Sequence, residues 1–180
     1  MIYALDGPDC CGKSTVFQAL RDIRCSSCRP RYPCPQGGLC RRALIDRIAF
    51  VPSFPEGYEC ERTNSGLWEA LYDPKRLYVS DRHFSITGAV YSKLYGRPFR
   101  DHKRWRSEVV PVYFDVPVEE LRRRHAVRGD ADFDAELYSD CVDAYMDVLR
   151  TFPRWHRVNG TLPVEAICAK IMAFLDSGMR

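Results

Sequence analysis

One short stretch, Gly7-Pro8-Asp9-Cys10-Cys11-Gly12-Lys13-Ser14-Thr15, constrains the fold of this chain more than any other. It follows a short apolar run, Met1 to Leu5, that ends in Asp6-Gly7, and it precedes an apolar-periodic segment, Ser14 to Ile23. The order is therefore strand, glycine loop, helix. Within it, Gly7-x4-Gly12-Lys13-Ser14 matches the Walker A pattern, and the chemistry of phosphate binding accounts for each residue type. Glycines let successive backbone N–H groups turn toward phosphates, Lys13 reaches the outer phosphates, the Ser14 hydroxyl ligates Mg2+, and the helix N-terminus adds a favourable dipole. The expected cofactors are ATP and Mg2+, with ATP cradled by Gly7, Asp9, Cys10, Cys11, Gly12, Lys13, Ser14 and Thr15.

The rest of the chain repeats the alternation. Leu77 to Ser80 and Val109 to Val116 read as buried strands, the first ending in Asp81-Arg82 and the second followed by a helix start at Pro117. Ser65 to Tyr72, Glu119 to Val127 and Asp134 to Leu149 read as helices, and Leu39 to Phe50 as a further one, with Leu44, Ile45 and Ile48 at helical spacing. Arg24 to Gly38 has no period and reads as irregular. Trp155 to Val158 as strand, Asn159 to Pro163 as turn and Val164 to Leu175 as helix close the chain. Alternation of this kind predicts an α/β fold, a doubly wound parallel sheet of about five strands covered on both faces. With 180 residues, 46% of them hydrophobic, one domain over 1–180 is expected.

Two further stretches carry candidate chemistry. Asp81-Arg82 sits at a strand end, where open parallel sheets place their ligand crevices, so Asp81 is expected to join Ser14 at the metal and Arg82 to meet a phosphate. In Arg122-Arg123-Arg124-His125-Ala126-Val127-Arg128-Gly129-Asp130, a helix puts Arg124 and Arg128 one turn apart, and Gly129 supplies a hinge. This predicts a lid over about 122–134 that closes arginines on the transferring group. The expected catalytic set is Lys13, Asp81, Arg82, Arg124 and Arg128.

Taken together, the glycine loop, the strand end Asp81-Arg82-His83, the run Tyr113-Phe114-Asp115-Val116-Pro117-Val118-Glu119-Glu120 and the arginine lid resemble the thymidylate kinase family of nucleoside monophosphate kinases over most of the chain. The resemblance implies that Asp9 contacts the acceptor sugar, that Asp81 and Arg82 serve magnesium and phosphates, and that the turn Asn159-Gly160-Thr161-Leu162-Pro163, with Thr161 and Pro163, lies near adenine. The chain departs from the family at Arg31 to Gly38, which lacks the glutamate of the family's Arg-Glu-Pro-Gly-Gly type segment, and it is shortened between Tyr91 and Val109. In this it is similar to kinase-like proteins of bacteriophages, some of which phosphorylate 5-hydroxymethyluracil in DNA.

Two acceptors stay open. A pyrimidine deoxynucleotide is favoured because a phosphate nucleophile needs no strong general base, and Ile23 to Ile45 contains no Asp or Glu. A hydroxymethylated base in DNA would need Asp81 or Asp9 as base, with Arg97, Arg100, Lys103, Arg104 and Arg106 gripping the strand and Phe99 and Trp105 interleaved for stacking. Trp68, four residues from Tyr72 on an expected helix, is a candidate to stack on an acceptor base, although such pairs are more often core. A P-loop NTPase switch or binding module is the third reading, and the basic lid argues against it. The net charge of +3, from 27 basic and 24 acidic residues, suits anionic ligands without selecting one. Monomer and homodimer both stay open.

Nothing at the start resembles a signal peptide and no run approaches membrane-spanning length, so a cytoplasmic protein is expected, in the host cytoplasm if phage-encoded. Reduced thiols fit two cysteines in a loop that must wrap a ligand. Cys25, Cys28, Cys34 and Cys40 offer four thiolates, but the second pair has the wrong spacing for a zinc ribbon. Protein purified under reducing conditions is therefore expected to carry no stoichiometric zinc. One zinc per chain by elemental analysis, with unfolding on chelation, would overturn this.

Overall fold

The computed structural model describes residues 1–22, 48–52, 61–96, 98–100, 103–129 and 133–178. The expected irregular stretch, most of the Leu39 to Phe50 helix and the four-cysteine cluster lie outside them.

Five strands, β1 (Ile2–Asp6), β2 (Ile48–Val51), β3 (Leu77–Asp81), β4 (Val109–Asp115) and β5 (His156–Asn159), form one sheet in the order β2-β3-β1-β4-β5. Every pairing is parallel. The helices are α1 (Lys13–Asp22), α2 (Glu61–Leu71), α3 (Phe84–Tyr95), α4 (Lys103–Glu108), α5 (Val118–Arg128), α6 (Ala135–Leu149) and α7 (Val164–Gly178). β1 is buried along its whole length because helices cover both faces, which is why it reads as a continuous apolar run rather than an alternating one.

Alternate residues of the strands divide the core in two. Tyr3, Leu5, Val112, Phe114 and Val158 pack with Val16, Phe17 and Leu20 of α1 and Ile167, Ile171 and Leu175 of α7. Ile2, Ala4, Tyr78, Val109 and Tyr113 pack with Phe84, Ile86 and Val90 of α3 and Ala144, Tyr145, Val148 and Leu149 of α6, joined by Trp68 and Trp105. Pro111 falls one residue before β4 begins to pair with β5 at Val112, where a proline in a strand is tolerated.

The strand order fixes where a ligand can sit. After β1 the chain crosses to β2 on one side, and after β3 it crosses to β4 on the other side of β1. The two connections diverge between β1 and β3, and open α/β sheets bind ligands in the crevice at the carboxyl ends of such a pair. Leu5 pairs with Asp81, so the glycine loop and Arg82 emerge side by side.

Ile48 to Phe50, expected to finish a helix, instead form β2 in register with Leu77, Tyr78 and Val79. A short apolar run has no periodicity that separates a buried strand from a buried helix, and the open edge of β3 decides it. Trp105 and Phe99, which the DNA alternative would interleave with cations on a nucleic-acid surface, pack against the protein instead. Trp105 is 1% exposed, with its ring 5.4 Å from Tyr72, 6.0 Å from Phe84 and 6.3 Å from Trp68, and the Phe99 ring lies over Gly88. Replacing Trp105 with Ala should lower unfolding free energy by about 3–5 kcal/mol in urea titrations, the usual loss for a large buried aromatic. A loss under about 1 kcal/mol would show that α4 does not close this core.

Candidate active site

The loop after β1 is shaped by backbone angles that side chains resist. Gly7 has φ 147°, and a Cβ there would lie 3.1 Å from Cys11 Sγ and 3.2 Å from the Phe114 carbonyl oxygen. Gly12 has φ 95°, and Cys10 takes the left-handed region at φ 61°. α1 then starts at Lys13, so the unpaired N–H groups of its first turn open into the crevice, beside Ser14 and Thr15. Lys13 is 5% exposed and folds back onto the loop: Nζ donates to the carbonyls of Gly7 (2.8 Å) and Pro8 (2.6 Å) and contacts Cys11 Sγ at 3.4 Å. Burial pushes the Cys11 thiol pKa up. Cys11, Cys141 and Cys168 are free thiols.

Beneath the loop lies Asp6, with no exposed surface. Its Oδ1 accepts from Gly7 N (3.1 Å) and lies 2.8 Å from Tyr145 Oη, while Oδ2 accepts from His83 N at 3.4 Å. Tyr145 Oη is also 3.0 Å from the Gly7 carbonyl oxygen. Burial raises the Asp6 pKa, opposed by the charges of Arg82 and Lys13 and by the Tyr145 hydrogen bond. Neither Asp6 nor Tyr145 is among the sequence-predicted site residues. The one available signal is a carboxylate ending an otherwise apolar strand.

A cavity of about 560 Å³ opens above the loop. Lys13, Ser14, Thr15, Asp81, Arg82, Arg124 and Arg128 all line it, so the expected charged set converges on one space. Arg124, on α5, holds the roof to the floor: Nη1 donates to the Cys11 carbonyl (3.2 Å), Nη2 to the Gly160 carbonyl (2.8 Å), and Nε to Glu120 (2.7 Å). Hydrogen bonds from Arg123 and Arg124 hold the Glu120 pKa down, to about 2. Arg128 Nη1 lies 3.4 Å from Cys10 Sγ. In the turn before α7, Gly160, Leu162 and Val164 form the wall. Thr161 and Pro163, expected near adenine, are not in it: the Thr161 hydroxyl donates to Asn159 Oδ1 at 2.7 Å and the Pro163 carbonyl accepts from Ala166 and Ile167. Among the described residues no group of three or more His, Cys, Asp or Glu side chains forms a metal cage. Ser14 and Asp81 offer the cavity two hard oxygen ligands, which suits a magnesium ion that draws its other ligands from water and phosphate.

A second cavity, of about 340 Å³, lies on the far side of Asp9 and Arg82, which line both. Its walls are largely aromatic and apolar: Tyr91, Leu94 and Tyr95 of α3, and Leu137, Tyr138, Cys141 and Tyr145 of α6. Tyr91 and Tyr95 stack at 5.7 Å, and burial pushes the Cys141 thiol pKa up to about 11. Arg82 sits at the junction with a strained φ of 66° and pairs with Asp9. These wall residues escaped the sequence reading because tyrosines and leucines at helical spacing read as core.

Two candidate sets of acceptor contacts are not brought to the cavities. Trp68 is 1% exposed, packed against Tyr78, His83 and Trp105, and lines neither cavity, because the helix face that carries it turns inward. Of the basic stretch, Arg100, Lys103, Arg104 and Arg106 line neither cavity, and Arg97 lies outside the described residues. α4 runs directly into the start of β4, at the end of the sheet opposite the glycine loop, and Arg104 lies over the Trp105 ring at 5.0 Å.

The fold and the loop define a P-loop α/β protein with two adjoining cavities. Its structural neighbours are kinases and a nucleotide-bound protein. The YorR protein of Bacillus subtilis, solved with phosphorylated GDP, superposes with a TM-score of 0.61 at 17% identity, over 98% of this chain and 96% of that one. Deoxyadenosine kinase of M. mycoides, solved with dCMP and a flexible dCDP, gives 0.55 at 16% identity over 98% and 99%, and a gluconokinase of Sinorhizobium meliloti 0.56 at 15% over 97% and 91%. No family model and no curated protein sequence matches the chain. Among the described residues no helix is long and apolar enough to cross a membrane.

If acceptor chemistry is confined to the two cavities, neutralising Arg100, Lys103, Arg104 and Arg106 together should leave acceptor KM within a few-fold of wild type. A large KM rise with a flattened salt dependence would show that these cations hold a polyanionic acceptor.

Proposed function

We propose that this chain is a P-loop kinase that transfers the γ-phosphoryl group of ATP, with magnesium, to a nucleotide, a pyrimidine deoxynucleotide being the leading acceptor. The observation that carries the reading is the junction of the two cavities at Asp9 and Arg82: one space is rimmed by the glycine loop and arginines, the other is walled by tyrosines and leucines. A donor's phosphates and an acceptor's base would occupy chemically matched rooms with a guanidinium between them. The kinase neighbours share this fold and support the same reading.

Phosphoryl transfer asks the protein mainly for positioning and charge stabilisation. Lys13, Arg82, Arg124 and Arg128 neutralise the transferring group, and a lid carried by α5 closes over it and excludes water; residues 130–132 of the expected 122–134 lid lie outside the described residues. Magnesium, held by Ser14 and Asp81, would neutralise charge on the donor phosphates. Asp9 orients Arg82 through their ion pair, and the tyrosine-lined cavity stacks the acceptor base. A phosphate acceptor fits the absence of carboxylates from Ile23 to Ile45, since its oxygen attacks without a strong base.

Radiolabelled ATP offered with a panel of nucleosides, nucleotides and hydroxymethylated duplex DNA tests the proposal, and labelled pyrimidine deoxynucleotide is the expected main product. Preference for the modified duplex over every free nucleotide would assign the acceptor to DNA, and ATP hydrolysis with no labelled acceptor would remove the kinase reading. Lys13→Ala should reduce transfer to below roughly a tenth of wild type while the protein stays folded, because it removes charge stabilisation from the phosphates.

A further inference from the structure

We propose that Tyr145 is a positioning residue that takes over the Gly7 carbonyl when Lys13 turns from the loop to the phosphates of a bound nucleotide. The inference rests on the reading that this loop binds a nucleoside triphosphate.

The Lys13 ammonium has three N–H groups, and it contacts three loop atoms: the Gly7 carbonyl at 2.8 Å, the Pro8 carbonyl at 2.6 Å and Cys11 Sγ at 3.4 Å. Reaching phosphates means leaving at least one of them. Gly7 is buried, and a buried carbonyl that loses its donor is penalised unless another replaces it. Tyr145 Oη stands 3.0 Å from that same oxygen and 2.8 Å from Asp6 Oδ1. A hydroxyl carries one proton, so it serves one of these acceptors at a time. While Lys13 holds Gly7, the Tyr145 proton belongs with Asp6; when Lys13 departs, rotation about the C–O bond brings it to Gly7.

Asp6 tolerates the exchange because Gly7 N and His83 N still donate to it, at 3.1 Å and 3.4 Å. Burial also holds the Tyr145 pKa well above its ordinary value, so the hydroxyl keeps the proton it needs to donate. Tyr145 is 2% exposed and its ring forms part of the wall of the second cavity, so the exchange takes place beside the acceptor.

Tyr145→Phe keeps the ring and removes the alternative donor, so Lys13 would leave the Gly7 carbonyl bare whenever it engaged a ligand. In displacement titrations against a fluorescent ATP analogue, Tyr145→Phe should weaken ATP by about three- to tenfold, the worth of one hydrogen bond. AMP, which has no outer phosphates for Lys13, should displace the analogue equally well from both proteins. In the Lys13→Ala background the second substitution should weaken ATP no further, because there is nothing left to hand over. Unchanged ATP affinity in Tyr145→Phe overturns the proposal and leaves the nucleotide-binding reading standing. Equal weakening of ATP and AMP, or the same loss in the Lys13→Ala background, overturns it by reducing Tyr145 to a structural prop. Failure of the wild-type protein to bind ATP overturns both.

Discussion

A carboxylate sealed from water at the end of β1 holds the site together. Asp6 accepts from Gly7, the first residue after β1, and from His83, the second residue after β3, and it meets the Tyr145 hydroxyl from α6. Removing a carboxylate from water is costly unless hydrogen bonds replace the lost hydration, so these three partners are bound to it by the penalty of leaving it bare. The consequence is geometric. The glycine loop and the Arg82 turn share one anchor, and the helix that walls the second cavity is attached to it as well.

The fold was legible where its signals were local. Apolar runs ending in Asp6, Asp81 and Asp115 mark β1, β3 and β4. The Asp134 cap, which accepts from Glu136 N and Leu137 N, marks the start of α6 where the sequence placed it. β2 was misread because its four residues are apolar without a period, and only the free edge of β3 makes them a strand. α3 stayed hidden because it buries several faces at once and carries Gly88, whose missing side chain admits the Phe99 ring. α4 conceals a core tryptophan inside a run of cations.

The same distinction separates the parts of the site. The loop residues follow one another in sequence, so their spacing announces their chemistry. Asp6 and Tyr145 stand 139 positions apart, and alone Asp6 reads as a polar strand end and Tyr145 as the interior of a helix. Trp68 shows the converse: four residues from Tyr72, it was a candidate for a base although such pairs are more often core, and Tyr78, His83 and Trp105 enclose it from three other segments. Arg124 was expected among the lid arginines, and its guanidinium spans the loop and the β5–α7 turn, which ties the roof of the first cavity to its floor.

The sheet itself bears on the choice between a free nucleotide and DNA. Both cavities lie at the carboxyl ends of the strands, while α4 delivers its cations to the amino end of β4, a strand of seven residues. At about 3.3 Å per residue that strand separates the two regions by roughly 20 Å. A duplex gripped by Lys103, Arg104 and Arg106 would have to pass around the edge of the sheet to present a base near Arg82. Arg104 is further engaged with the Trp105 ring, which holds the cation against the protein. A small acceptor meets no such obstacle, since the Asp9–Arg82 pair, the stacked tyrosines of α3 and the phosphate loop all border one opening. The fold thus places Lys103, Arg104 and Arg106 at the end of the sheet away from both cavities.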